Sequence, residues 1–217
     1  GRKPGDVKLI AVSKTWPASD LLQACQSGQT RFGESYVQEA LDKIAALRGW
    51  PLEWHFIGPL QSNKTRAVAE HFDWVHSIER LKIAQRLNDQ RPDHLPPLQV
   101  LIQVNTSNEP SKAGCQFDEL PELVAAVDAL PRLQLRGLMT LPARSHDFEQ
   151  QRQPFRQLRE AMQTLQQQGF DLDSLSMGMS NDLRAAIAEG STLVRVGTAI
   201  FGQRPPKAGL SPDQVNE

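Results

Sequence analysis

The feature that most constrains this chain is an alternation repeated without a break along its 217 residues. Short apolar runs rich in β-branched residues take turns with longer stretches whose apolar residues recur three and four apart, the periods of strand and helix. Strands are expected at residues 9–12, 31–33, 53–57, 74–77, 100–104, 133–139, 175–177 and 193–196. Helices are expected at 18–27, 36–47, 62–72, 79–88, 120–130, 149–168 and 182–189, with Gly28 and Gly190 closing the first and last of these. Such alternation pairs strands in parallel and packs each helix back over the sheet. Eight units in about 200 residues favour a closed barrel over an open doubly wound sheet. The expected fold is therefore α/β: a single (β/α)8 barrel of the TIM type over residues 1–217, with residues 1–6 and about 203–217 as mobile ends.

Composition removes several function classes. Hydrophobic residues make up 39% of the chain, and no apolar run approaches the roughly 18 residues of a membrane span. A formal net charge of −1 offers no electrostatic argument for nucleic acid or an acidic membrane. The first six residues contain no apolar signal segment. Cys25 and Cys115 lie far apart without metal-ligand spacing, as reduced thiols of a cytoplasmic protein would. His71 and His76 are five apart across a helix-to-strand junction, which is no ligand pair, and no metal site is expected.

In a barrel of this kind chemistry sits where strands end and βα loops begin. Lys14 stands just beyond the first strand, in Ala11-Val12-Ser13-Lys14. Partial desolvation there would lower its pKa and free the amine for Schiff-base chemistry; the plainer alternative is a surface lysine with its head in water. After the seventh strand, Gly178-Met179-Ser180 turns into a helix, with Ser180 suited to cap it and the amides there suited to an anion. After the eighth, Gly197 allows close backbone approach and Thr198 adds a hydroxyl. Singly these are a helix cap and a turn. Together, opposite a first-strand lysine, they point to a phosphorylated carbonyl ligand, since barrels often bind phosphate at the loops after strands seven and eight. Arg195 alternates with Val194 and Val196, so it faces the other way at the top of the barrel. It can meet a cofactor ring nitrogen or form a structural ion pair with a carboxylate such as Glu34.

At this point the sequence resembles the pyridoxal-phosphate homeostasis proteins. The resemblance is carried by Ala11-Val12-Ser13-Lys14-Thr15, Phe32-Gly33-Glu34-Ser35-Tyr36-Val37-Gln38-Glu39, Trp54-His55-Phe56-Ile57-Gly58-Pro59-Leu60-Gln61-Ser62-Asn63-Lys64, Arg136-Gly137-Leu138-Met139, Leu175-Ser176-Met177-Gly178-Met179-Ser180 and Val194-Arg195-Val196-Gly197-Thr198-Ala199-Ile200-Phe201-Gly202. It spans nearly the whole chain. It implies a monomeric barrel like the N-terminal domain of alanine racemase, with pyridoxal 5′-phosphate (PLP, a vitamin B6 form) held as a Schiff base on Lys14. It further implies phosphate contacts from Ser180, Gly197 and Thr198, and Arg195 at the pyridine nitrogen. Two departures stand out. Ser35 occupies a position where the family usually has Asn, and only eight residues precede Leu9 where the family usually has a helix, so one end of the barrel is expected to be less well covered.

Three readings compete. A PLP carrier or buffer needs no catalytic turnover, and its partners would be PLP and apo-forms of PLP-dependent enzymes. An amino-acid racemase of the same fold needs an acid-base group on each cofactor face, and here Tyr36 would have to serve opposite Lys14. A ligand-free scaffold leaves the polar residues gathered at one rim without a purpose. An arginine at the ring nitrogen weakens the cofactor as an electron sink, which favours the carrier. Among the remaining candidates, His55 reads as a core histidine, Asn63 as a helix start, Lys112 as an exposed loop lysine on the same face, and Tyr36 as helix packing.

Overall fold

Eight parallel strands close on themselves in chain order, each bonded to the next and the last back to the first, in a computed structural model that describes residues 2, 3, 5–107, 109 and 112–203. The strands are β1 Lys8–Val12, β2 Arg31–Glu34, β3 Glu53–Phe56, β4 Trp74–Ile78, β5 Leu98–Gln103, β6 Leu133–Met139, β7 Ser174–Ser176 and β8 Leu193–Val196. The helices that follow them are α1 Ala18–Gln26, α2 Val37–Ala46, α3 Thr65–His71, α4 Leu81–Gln90, α5 Leu120–Asp128, α6 Phe148–Gln167, α7 Leu183–Ala188 and α8 Thr198–Phe201.

The expected barrel is present, with differences at the edges of its elements. β5 starts two residues early, and Val104 pairs only as an isolated bridge with Cys115. The expected third helix opens as a 3₁₀ turn, Ser62–Lys64, before α3. α8 was not expected at all. Its four residues are too few to show a helical period, and Phe201 packs on Trp16 with ring centroids 5.7 Å apart. The expected mobile tail lies outside the described residues from 204 onward.

Two separate cores result from the alternation of side chains along the strands. Outward-facing residues such as Phe32, Phe56, Val100 and Ile102 join Leu21, Val68, Phe155 and Leu158 of the helices in one large apolar layer. A smaller cluster, Ile10, Trp74, Leu101, Met139 and Leu193, fills part of the lumen. β6 carries an extra residue, because Val100 pairs with Leu135 and Leu101 with Gly137. Gly137 makes this bulge possible: its φ is 149°, and a Cβ there would collide with the carbonyl oxygen of Ser174. The displaced Arg136 lays its guanidinium over Trp74 at the base of the lumen, 5.3 Å from the ring centroid, and pairs with Asp173.

Candidate functional site

The C-terminal ends of the strands gather the expected residues on one mouth of the barrel. Lys14 lies in the turn after β1, half-buried. The turn is closed by a backbone bond and carries an unusual dihedral. Ser13 N–H extends the ladder to Gly33 O, Trp16 N–H donates back to Ser13 O, and Thr15 has a φ of 71°. A β-branched residue in the left-handed region costs roughly 1–3 kcal/mol, and such strain collects at functional sites. Thr15 is held there by its N–H, which donates to Glu39 Oε1 at 2.5 Å.

Beneath Lys14 sits a buried charge cluster. Ser13 Oγ donates to Glu34 Oε1 at 2.5 Å, and Lys43 Nζ donates to Glu34 Oε1 and Ser13 O, both at 2.8 Å. Lys43 also reaches Glu39 Oε1, one helical turn back on α2. Burial pushes the Glu34 carboxyl up, against the pull of Lys43 and Ser13. Its second oxygen, Oε2, is buried without a hydrogen-bond partner. The sequence offered Glu34 as an ion-pair partner for Arg195. Its cation is Lys43 instead, because α2 brings that lysine under the β1–α1 turn.

Arg195 points into the lumen, as its strand parity required, and is 3% exposed. Nη1 donates to Ser176 Oγ at 2.5 Å and Nη2 to Thr140 O at 2.9 Å. Both acceptors are neutral, and among the described residues no carboxylate pairs with it. Burial lowers its pKa to about 10, so the guanidinium stays charged at neutral pH. In register it faces Ile10, four residues before Lys14 on the neighbouring strand. Among the described residues Arg195 is thus a buried cation without a carboxylate, beside the strand that precedes the Lys14 turn.

Ser180, Gly197 and Thr198 line the same mouth, and Ser180 and Thr198 are exposed. Ser180 is not the helix cap the sequence suggested. Asp182 precedes α7, and its Oδ1 accepts from Met179 N–H at 2.6 Å, which folds the loop on itself. A Cβ at Gly197 would stand 3.2 Å from Val12 O, so β8 and β1 approach closely here.

Comparison with known proteins fits this geometry. Residues 2–205 match the family model described as the N-terminal domain of alanine racemase. Pyridoxal phosphate homeostasis proteins of Vibrio alginolyticus and Escherichia coli are each 58% identical to this chain, over 208 and 207 residues. Those matches cover 94% of this chain and 89% and 88% of the two relatives. The chain belongs to this family. The structure of PipY from Synechococcus elongatus with PLP bound is similar at a TM-score of 0.83 and 40% identity, covering 93% of this chain and 95% of that one.

The remaining sequence candidates separate cleanly within this family fold. His55 is a buried lumen residue, as expected, while Asn63 is exposed on the 3₁₀ turn. Lys112 is an exposed loop residue and Ser35 is half-buried. Tyr36 does not pack as a helix residue: it is 56% exposed at the start of α2. Sequence reasoning missed Lys43, gave Ser13, Thr140 and Ser176 no role of their own, and passed over His76. Strand parity carried a usable signal for His55, His76 and Ser176, polar residues at lumen-facing positions of β3, β4 and β7. No helix among the described residues is long and apolar enough to cross a membrane, and no group of three His, Cys, Asp or Glu side chains there could hold a metal ion.

Proposed function

We propose that this chain binds PLP covalently on Lys14 and carries or buffers it in the cytoplasm as a monomeric, one-domain barrel, without turnover of its own. The observation that carries the reading is Arg195, a buried guanidinium with only neutral acceptors among the described residues, set beside the strand that leads into the Lys14 turn. The residues at this mouth fit the cofactor. Lys14 supplies the amine, Arg195 a donor for the pyridine nitrogen, and Ser180, Thr198 and the amide of Gly197 supply donors for the phosphate. When bound, PLP supplies an aldehyde that condenses with a primary amine and a ring that can withdraw electrons. Arg195, charged at neutral pH, presents only N–H donors, so it holds the ring nitrogen unprotonated and limits that withdrawal. Kinship with proteins named for PLP homeostasis, and the PLP complex of PipY, support the same ligand.

The test begins with a visible spectrum of purified protein and borohydride reduction, followed by mass mapping of the modified lysine. The expected site is Lys14, and Lys14→Ala should abolish the band. A full band in that variant would shift the assignment to Lys112. The protein should hand PLP to an apo-enzyme and show negligible racemase, decarboxylase or transaminase activity. Racemisation of alanine or serine near the enzyme median of about 10 s⁻¹ would instead promote the racemase reading.

A further inference from the structure

The lumen holds a polar system that the proposed function leaves unused. Arg195 Nη1 stands 2.5 Å from Ser176 Oγ, and Ser176 Oγ stands 2.8 Å from His76 Nδ1. His76 Nε2 is 2.9 Å from His55 Nδ1, and His55 Nε2 is 2.8 Å from Glu53 Oε1. Ser176, His76 and His55 are fully buried. The Glu53 side chain is 38% exposed and lines a cavity of about 570 Å³ with Arg31, Asp73, Trp74, Arg91 and Gln99. Glu53 opens β3, so this cavity lies at the N-terminal ends of the strands, opposite the mouth that carries Lys14.

The chemistry of the two ends fixes the direction of every bond between them. A guanidinium only donates and an ionised carboxylate only accepts. Burial holds both imidazoles below the ordinary histidine range, most strongly His76, which also faces His55 and Arg195. The His55 hydrogen bond keeps the Glu53 carboxyl below its usual range, with Arg31 and Lys8 adding to the effect. Each neutral imidazole has one N–H and one lone pair, so a single arrangement satisfies all five groups. Arg195 donates to Ser176, Ser176 to His76 Nδ1, His76 Nε2–H to His55 Nδ1, and His55 Nε2–H to Glu53. Both histidines are Nε2–H tautomers.

We infer that Ser176, His76 and His55 are positioning residues for Arg195, forming a one-way hydrogen-bond file that ties its guanidinium to the Glu53 carboxylate at the base of the barrel. That Arg195 meets a ligand rests on the proposed function; the file itself does not. Hydrogen bonds in series polarise one another, so loss of the charge at Glu53 weakens each donor in turn and reaches Arg195 without movement of any side chain. The other charged groups facing the file are Arg31, Lys8 and Asp73 around Glu53 and His55, and Asp182 toward Arg195.

Nitrogen-15 NMR of the ligand-free full chain reads the tautomers and the Arg195 side-chain signals directly. Both histidines should be Nε2–H at neutral pH. Glu53→Gln should shift His55, His76 and Arg195, whereas Asp93→Asn, which removes an exposed carboxylate paired with Arg132, should shift none of them. Ser176→Ala cuts the file, after which Glu53→Gln should still move His76 and no longer move Arg195. With PLP added, Glu53→Gln should displace the visible band and Asp93→Asn should not. An Nδ1–H tautomer at either histidine, or an Arg195 indifferent to Glu53→Gln, overturns the file. If the wild-type chain takes up no PLP, the proposed function fails while the tautomers and the Arg195 signals still decide the file.

Discussion

Between its strands and helices the molecule buries mainly apolar groups; inside its strands it buries a set of hydrogen-bonding groups that includes the guanidinium of Arg195. The outer layer, from Phe32 and Phe56 to Phe155 and Leu158, is non-directional packing, in which volume matters more than identity. The lumen divides its space between Ile10, Leu101 and Met139 on one hand and His55, His76, Ser176 and Arg195 on the other. Each of those polar groups bonds to two neighbours, and losing one leaves a buried donor or acceptor unsatisfied at about 1–3 kcal/mol. A buried cation without a carboxylate is weak evidence for stability, since apolar replacements of buried charges are often neutral or stabilising. The difference teaches that the outer layer holds the barrel closed, whereas the lumen gives up stability to place Arg195.

Four expectations press on that contrast, from the largest effect to the smallest. Phe155→Ala, in the outer layer, should lower unfolding free energy by about 3–5 kcal/mol in denaturant titrations and leave PLP affinity of the folded protein unchanged. Ser180→Ala and Thr198→Ala should do the reverse. Each should weaken PLP binding by roughly 10- to 100-fold, equivalent to about 1.5–3 kcal/mol, with no change in the unfolding midpoint. Pyridoxal, without the phosphate, should bind wild type poorly, and equal affinity for the two would remove the phosphate site.

The third expectation concerns acid. Burial lowers the folded-state pKa of His55 and His76, so below about pH 6.5 the unfolded chain binds protons that the native lumen refuses. Stability should therefore fall as pH drops from there, by up to about 1.4 kcal/mol per pH unit for each histidine. Glu53, held low, adds loss in the same direction at more acid pH. Glu34, held high, works the opposite way, because its ionisation opposes folding. Proton NMR titration isolates the histidine part: His55 and His76 signals should stay in their neutral positions through pH 6.5. The smallest effect belongs to Lys14→Ala, whose unfolding free energy should stay within about 0.5 kcal/mol of wild type. A larger loss would make Lys14 a structural residue of its turn.

Much of this was legible in the chain. The eight strands follow from apolar runs of strand length, and Arg195 reads as inward because Val194 and Val196 flank it. The seven longer helices follow from their period, and α8 escapes for being one turn long. Ser180 misled because a serine before a helix looks like a cap, while a competing side chain, Asp182, took the loop amide. Tyr36 misled because its place at a helix start says nothing about which way the ring turns. Lys43 was invisible as a functional neighbour, since an i,i+4 pair with Glu39 reads as a solvated helix face until the fold buries one end of it.

What the sequence by itself determined is everything set by local periodicity and by the chemistry of single side chains: the parallel barrel, the mouth at which loops converge, a lysine just beyond the first strand and an arginine that must stay charged. What only the tertiary structure decided is which groups share a proton or a charge. His55, His76 and Ser176 come from three strands up to 121 residues apart in number, and no spacing along the chain announces that they meet. Closure of the barrel buries them fully and brings them within hydrogen-bond distance, and there the ends of the file dictate where every proton lies.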